Sequence, residues 1–428
     1  MIGSQILSNI NLILFVLFWV ATVFVYQFNK RHIDAGSIIL ISYLIYAVLS
    51  LILYNNPFYK FDEISFFPFL YLFIMLMIAF MPILTYDYKQ IDLIQQPTRI
   101  LLNIVCLIFI ISSLIQLPSI ISNFSKSIIQ LLLVSTAGQD LYNDAMSESY
   151  SLGDGSISNL PSIISNAYGN FGILLFFYYL TLEDRKRYMT IGLFLSCIIG
   201  LLGNISLGQR GPIIEILLSF VISYFALKNF FEPRIKKIVS TIGIVFLIAV
   251  TIPIIALTNS RFGDTRGGSE SSVFFYAGQQ NIIFNNYGLD NGGIRYGDRV
   301  FPFFKRILGF DNVPNNFWER RNKYPNLIVN DEVFIGFVGD FTLDFGPYVT
   351  PVIFIVFSAL VFFITKIRNR VLLFHQLILL HFVMTVCMLG GLKLYPYSDL
   401  GGNLQLILYV IAFIFFKLDY DSKQVQVA

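Results

Sequence analysis

The stretch GQRGPIIE, residues 208–215, places a permanently charged arginine between two strongly apolar runs. Gly208 and Gly211 supply the backbone freedom for a chain reversal, and Pro212 suits the first position of a following helix. A helix start beside a guanidinium offers free amides, the positive end of a helix dipole and forked donors, which together favour phosphate. The sequence therefore predicts an anion site at Arg210, with both catalytic and substrate-binding roles.

Glu215 lies about one turn inside the helix that this stretch predicts. An ionised carboxylate inside a membrane span is costly unless it is paired, so we expect an arginine from elsewhere in the chain to meet it. The alternative is that Arg210 reaches the lipid headgroups and that Glu215 is its structural counter-ion.

A second group of charged residues lies in residues 258–346, where the basic residues come first and the acidic residues last. Its candidate substrate-binding groups are Arg261, Arg266, Arg295 and Arg299, and its candidate general bases are Asp331, Glu332, Asp340 and Asp344. At helical spacing Asp340 and Asp344 would share one face. Carboxylates held near arginines in a partly dry site can have pKa values suited to proton abstraction. For any one of these arginines, pairing within the segment is an equally strong interpretation.

The cysteines and histidines do not indicate a metal site. They are Cys106, Cys197 and Cys387, which fall in separate apolar runs, and His32, His375 and His381, which lack metal-ligand spacing. We interpret them as packing residues and expect neither a metal nor a cofactor.

The elements that must position these residues are membrane spans. The chain has 428 residues, of which 56% are hydrophobic and 13% charged, whereas soluble domains carry about 25% charged residues. A bilayer core needs roughly 20 apolar residues per helix. Runs of that kind lie at about 6–28, 36–54, 65–85, 99–117, 165–182, 188–207, 212–228, 237–257, 347–365, 371–392 and 402–416. The sequence predicts a single all-α polytopic membrane domain, residues 1–428, with about eleven transmembrane helices.

Lysine and arginine predict the orientation of these spans. With the N-terminus outside, the cytoplasmic loops and C-terminal tail contain 16 of these residues, and the short outside loops contain three. The positive-inside rule then places the N-terminus outside and the C-terminus in the cytoplasm. Two long external connections follow, residues 118–164 and 258–346. Apolar runs such as FPFFKRILGF predict that the second is an ordered cap. The net charge of +3 is too small to indicate a nucleic-acid partner.

Three motifs in this aromatic-rich chain resemble those of bacterial oligosaccharide repeat-unit polymerases, the O-antigen or capsule polymerases of the Wzy type. They are GQRGPII between two spans, NSRFGD at the start of the large external segment and GDFTLDFG before the late spans. The resemblance covers most of the chain as architecture and about twenty residues as motifs. It implies a glycosyltransferase at the outer face of the bacterial cytoplasmic membrane, which needs no nucleotide sugar and no metal.

The resemblance also implies partners and residue roles. The donor and acceptor would be polyprenyl-diphosphate-linked oligosaccharides within the lipid bilayer, and a chain-length regulator protein would be a further partner. Arg210, Arg261 and Arg266 match the arginines that such enzymes use for the diphosphate and for acidic sugars. Preorganised donors of this kind stabilise the charge that develops on a diphosphate leaving group.

Other functional classes remain as alternatives: a transporter, another membrane transferase such as a ligase or an acyltransferase, and a purely structural or receptor role. A flippase or transporter of lipid-linked oligosaccharide would place ionisable groups and broken helices near the middle of the membrane. A related O-antigen ligase resembles the polymerases in architecture but typically uses an external histidine, and no histidine occurs in the predicted external segments.

Overall fold

The computed structural model describes residues 2–86, 90–133, 159–262, 268–329, 333–392 and 397–427. The helices are α1 (Ile2–Lys30), α2 (Ala35–Tyr54), α3 (Phe66–Leu84), α4 (Arg99–Leu133), α5 (Leu160–Leu180), α6 (Arg187–Ser206), α7 (Arg210–Leu227), α8 (Pro233–Phe262), α9 (Gly268–Tyr287), α10 (Pro302–Ile307), α11 (Phe317–Lys323), α12 (Gly336–Ile364), α13 (Phe374–Leu389) and α14 (Asp399–Val427). Two short strands, β1 (Leu93–Gln95) and β2 (Val371–Leu373), pair in parallel, with Leu93 opposite Val371.

Eleven helices within these described ranges, α1 to α8 and α12 to α14, are long and apolar enough to cross a membrane. Each predicted apolar run overlaps one of them. The predicted fold class, an all-α polytopic protein with eleven spans, is therefore confirmed, and the chain is a multi-pass membrane protein.

Several helices extend beyond the predicted spans, and α4, α12 and α14 do so by more than ten residues. α4 continues to Leu133 with Pro118 inside it, so the first part of the predicted 118–164 connection is helical, and residues 134–158 lie outside the described residues. α12 begins at Gly336, well before the predicted span, because its first turns contain acidic residues that a count of apolar residues excludes. Gly346, at φ 80°, then interrupts α12 just before Pro347.

The chain forms two compact units. The first contains Met1–Asp87, Glu270–Lys366 and Val383–Leu406. In this unit α1 packs on α2, and α12 packs on α3. Phe15 of α1 stacks on Phe69 of α3 with ring centroids 4.4 Å apart, and Trp19 meets Phe15 edge to face. Aromatic contacts of this geometry add to the stabilisation from apolar burial.

The first unit also contains most of α9, a polar helix that docks against α2. The Ser50 hydroxyl donates to the Gly278 carbonyl at 2.7 Å, and the Asn281 amide donates to the same hydroxyl at 2.9 Å. A Cβ atom at residue 278 would lie 2.7 Å from the Leu49 carbonyl oxygen. The absence of a side chain at Gly278 is therefore what allows the two helix backbones to meet.

The second unit contains Tyr88–Ser269, Ile367–Phe382 and Ile407–Ala428. In this unit α4 packs on α5 and α6, and α7 packs on α5, α6 and α8. Phe109 of α4 stacks on Tyr168 of α5 with centroids 5.3 Å apart. The next residue, Gly169, has φ 20° and ψ −107° and breaks α5 in the middle of its span.

Candidate functional site

The turn that contains Arg210 closes as the sequence predicts, between two spans of the second unit. Gly208 adopts φ 64°, and its amide donates to the Ile205 carbonyl at 3.1 Å, while the Gln209 amide donates to Asn204 at 3.1 Å. α7 then begins at Arg210, so Pro212 is its third residue rather than its first. Proline is tolerated there because the first four amides of a helix have no intrahelical acceptor.

The side chain of Arg210 is half-buried and lies against the end of α8. Its Nη1 donates to the Thr258 hydroxyl at 3.2 Å, and that hydroxyl donates to the Ile254 carbonyl at 2.7 Å. The guanidinium is thus held at the junction of two helix ends. Four other predicted site residues keep roles that are predictions only. The structure does not describe Arg266, Asp331 and Glu332, and it describes the backbone but not the side chain of Arg261.

Glu215 receives a hydrogen bond from an amide. The Asn170 Nδ2 donates to Glu215 Oε1 at 2.8 Å, and the Ser219 hydroxyl donates to the side-chain oxygen Oδ1 of Asn170. Among the side chains that the structure describes, no arginine forms an ion pair with Glu215, contrary to the prediction. The amide can take that place because the break at Gly169 directly precedes Asn170.

A line of polar side chains continues along the same face of α7. Ser223 lies four residues beyond Ser219, and its hydroxyl meets the His381 Nε2 at 2.7 Å. The His381 Nδ1 meets the Tyr409 hydroxyl at 2.9 Å. Glu215, Ser219 and Ser223 thus occupy positions i, i+4 and i+8, a spacing that the sequence already contains and that sequence reasoning missed.

The first unit brings four of the predicted site residues together in one buried charge cluster. Its members are Arg295, Arg299, Asp340 and Asp344, each no more than 3% exposed. The Arg295 Nε lies 2.6 Å from Asp344 Oδ1, and its Nη2 lies 3.7 Å from Asp340 Oδ1. The Arg299 Nε lies 3.5 Å from the same Asp340 oxygen. Asp340 and Asp344 therefore share a face of α12, as predicted.

Asp344 also joins α12 to the chain that precedes α10. Its second oxygen accepts the backbone amides of Arg299 at 3.2 Å and of Val300 at 2.8 Å. The Arg295 amide likewise donates to α12, to the Leu343 carbonyl at 2.9 Å. These contacts support a structural role for the buried charge cluster. A general-base role for Asp340 or Asp344 stays a prediction.

Asp298 is the centre of a second group of charged side chains, and it lies in the same stretch of chain before α10. The Lys323 ammonium donates to it at 2.6 Å, the Tyr324 hydroxyl donates at 2.7 Å, and Lys305 also donates. Burial by itself would raise the pKa of Asp298, but these three hydrogen bonds hold that pKa below its ordinary value. Burial and the bond to Asp298 raise the pKa of Tyr324.

An open cavity of about 360 Å³, here called the arginine cavity, adjoins these two groups in the first unit. It is lined by Arg295, Arg320, Arg321, Asn322, Tyr324, Pro325, Leu327, Ile328 and Val329. Arg320 is buried and paired with Asp399 at 3.0 Å, whereas Arg321 is exposed. Arg321, the exposed guanidinium of this lining, lies beside an apolar wall, and this combination suits an anion attached to a ring-shaped, partly apolar group.

Sequence reasoning did not select Arg320 and Arg321 as site residues. The available signal was the basic run WERRNKYP, which ends at Pro325, together with the short helix α11 that it forms. Within the described ranges, no group of three or more histidine, cysteine or acidic side chains is placed to hold a metal ion.

Searches against protein-family models, curated proteins and solved structures found no match to this chain. The resemblance to repeat-unit polymerases therefore rests on the motifs of the sequence alone.

Proposed function

We propose that this protein is a membrane glycosyltransferase that polymerises polyprenyl-diphosphate-linked oligosaccharide repeat units at the outer face of the bacterial cytoplasmic membrane. The observation that carries the proposal is the arginine cavity, which lies in the 258–346 segment of a chain whose described ranges contain eleven helices able to cross a membrane. The positive-inside distribution of lysine and arginine favours the outer face for this segment.

The lining of the arginine cavity fits part of such a substrate. Planar guanidinium groups bind carboxylate or phosphate through paired hydrogen bonds. The wall formed by Pro325, Leu327 and Ile328 offers an apolar surface for the face of a sugar ring. The membrane spans supply the apolar environment that a polyprenyl tail requires.

Arg210 and the first amides of α7 are assigned to the diphosphate. In the transfer, the bond between the anomeric carbon and the diphosphate oxygen breaks, and its electron pair stays on the diphosphate. The acceptor hydroxyl oxygen forms the new glycosidic bond and gives up its proton to a carboxylate or to water. Donors already aimed at the leaving group stabilise this change more than they stabilise the bound substrate.

A transporter of lipid-linked oligosaccharide is the second candidate, and one observation favours it. α5 is broken at Gly169 inside its span, and the polar line of Glu215, Asn170, Ser219 and Ser223 lies beside that break. Broken helices and intramembrane polar groups are typical of secondary transporters.

Reconstitution separates the two candidates. Lipid-linked repeat units are extracted from a strain that lacks the protein, labelled, and incubated with purified wild-type protein in detergent. A ladder of polymer lengths supports the enzyme. Movement of the label across a proteoliposome membrane, with no ladder in detergent, supports the transporter and refutes the enzyme.

The arginine cavity is tested by Arg321→Ala, with Arg234→Ala as the matched control. Both arginines are exposed, so neither change should alter stability by more than about 0.5 kcal/mol. Losing one hydrogen-bonded charge from a binding site costs about 1.5–3 kcal/mol, roughly a tenfold to hundredfold loss of polymerisation. Equal activity of the two variants would remove the arginine cavity from the proposal.

A further inference from the structure

Asn170 occupies an unusual place in the second unit. It directly follows the break at Gly169, and it is 2% exposed in the middle of a span. A buried amide inside a membrane bundle needs hydrogen-bond partners on neighbouring helices. Asn170 finds them on α7, where its nitrogen donates to Glu215 and its oxygen accepts from Ser219.

These two contacts hold consecutive turns of one helix. Glu215 and Ser219 are four residues apart on α7, so the single side chain of Asn170 restrains both the rotation of α7 and its depth beside α5. Because the Glu215 carboxylate accepts from this amide, the strength of the restraint depends on the donor–acceptor match between residues 170 and 215.

Arg210 follows any movement of α7 directly. It is the first residue of that helix, and it precedes Glu215 by about 7–8 Å along the axis at 1.5 Å per residue. Only residues 207–209 connect the end of α6 at Ser206 to Arg210. The contact of Arg210 with Thr258 is correspondingly sensitive to the position of the helix.

We infer that Asn170 and Glu215 form a positioning pair that sets the location of Arg210 through α7. The consequence for glycan transfer rests on the proposed function, whereas the consequence for the location of residue 210 does not. Neither member of the pair needs to touch the substrate. Glu215 thus has an amide partner in place of the expected arginine, and this amide acts on the position of the helix rather than on the charge of Arg210.

The test exchanges the two functional groups. Asn170→Asp removes the amide that donates to Glu215. At the alkaline pH used for thiol labelling, where both carboxyl groups are ionised, their repulsion should displace α7. Glu215→Gln keeps an oxygen that can accept the Asn170 amide and should be mild. The double variant N170D/E215Q restores the pair with reversed polarity, because the amide introduced on α7 can donate to the carboxylate introduced on α5. Ser219 can still donate to that carboxylate. Ser196→Ala is the matched control, since Ser196 is buried and bonds within its own helix.

The location of residue 210 is measured without reference to function. Arg210→Cys is added to each variant, and its labelling rate with a membrane-impermeant thiol reagent is recorded. The natural cysteines, Cys106, Cys197 and Cys387, are buried, and protein without the added cysteine gives the blank. We expect the rate to change in N170D and in N170A, to return to the parent value in N170D/E215Q, and to stay constant in S196A.

Polymerisation by the same variants, with Arg210 retained, is the second measurement. A misplaced catalytic group can lower the rate about a hundredfold, so N170D should lose the ladder and N170D/E215Q should regain it. Unchanged labelling in N170D and N170A, or no rescue by the exchange in folded protein, would overturn the inference. If labelling follows the prediction while wild-type protein makes no polymer, the positioning pair stands and the proposed function fails. Where N170D does not fold, N170A carries the labelling test and E215Q is its conservative partner.

Discussion

Asp344→Ala should unfold the region that joins α12 to residues 295–300. The substitution removes a carboxylate that is completely buried and that accepts three hydrogen bonds, one from the Arg295 guanidinium at 2.6 Å and two from backbone amides. Arg295 then keeps its contacts with Asp340, which are 3.7 Å to the carboxylate and 3.4 Å to the backbone carbonyl. Breaking a buried pair in this way costs about 3–5 kcal/mol, which corresponds to a roughly hundredfold to several-thousandfold shift in the folding equilibrium.

The assay is unfolding of purified protein in detergent, followed by proteolysis of the opened state. Asp290→Ala is the control, because Asp290 is an exposed residue of the same segment whose carboxylate accepts a local amide, that of Gly292 at 3.1 Å. Its free energy of unfolding should change by less than about 0.5 kcal/mol. The double variant R295M/D344N removes both charges and should be more stable than the sum of the single losses predicts, since contacting residues couple.

Two results would refute this reasoning. If Asp344→Ala is as stable as Asp290→Ala, the buried charge cluster does not hold the segment together. If Asp344→Asn keeps wild-type stability but makes no polymer, Asp344 acts as a general base, as the sequence first suggested, and its structural role is secondary.

Two further changes test the same unit. Asp298 has a depressed pKa when folded, so its stabilising contribution is present above the unfolded value of about 4 and is lost as the pH falls through the lower folded value. The difference in melting temperature between wild type and Asp298→Asn should therefore shrink from pH 7 to pH 3. Gly278→Ala places a methyl group 2.7 Å from the Leu49 carbonyl and should destabilise α9 by about 1–3 kcal/mol. Gly243→Ala, with open space around it, should be neutral or stabilising by up to about 1 kcal/mol.

Each of these two predictions has a result that would contradict it. A difference between wild type and Asp298→Asn that stays constant across this pH range would show that hydrogen bonds to Asp298 do not control acid stability. Equal stability of Gly278→Ala and Gly243→Ala would show that α9 does not rest on the backbone of α2.

The spans were predictable from the sequence because lipid demands long apolar runs, and no distant contact is needed to recognise them. Two local features were also predictable because each depends on residues close together in the chain. They are the reversal at Gly208 and the shared helix face of Asp340 and Asp344. The early start of α12 was missed because its first turns are acidic and buried in protein, where hydropathy no longer reports the environment.

The partners of the charged residues were not predictable from local sequence. Arg295 meets Asp344 across 49 positions, and Glu215 meets Asn170 across 45. Such pairs depend on how helices pack, and the break that presents Asn170 to α7 depends on the conformation of a single glycine inside an apolar run. The arginine cavity likewise forms only when α11 and the chain that follows it fold beside residue 295.

The most direct test of the account is the chain-length distribution made by Arg210→Ala in detergent with labelled lipid-linked repeat units. Removing one preorganised donor from a leaving group costs about 3 kcal/mol, or roughly a hundredfold in rate. We therefore expect the variant to retain the labelled substrate as single units, while Arg234→Ala and wild type yield a full ladder. A normal ladder from folded Arg210→Ala would contradict the assignment of the diphosphate to Arg210.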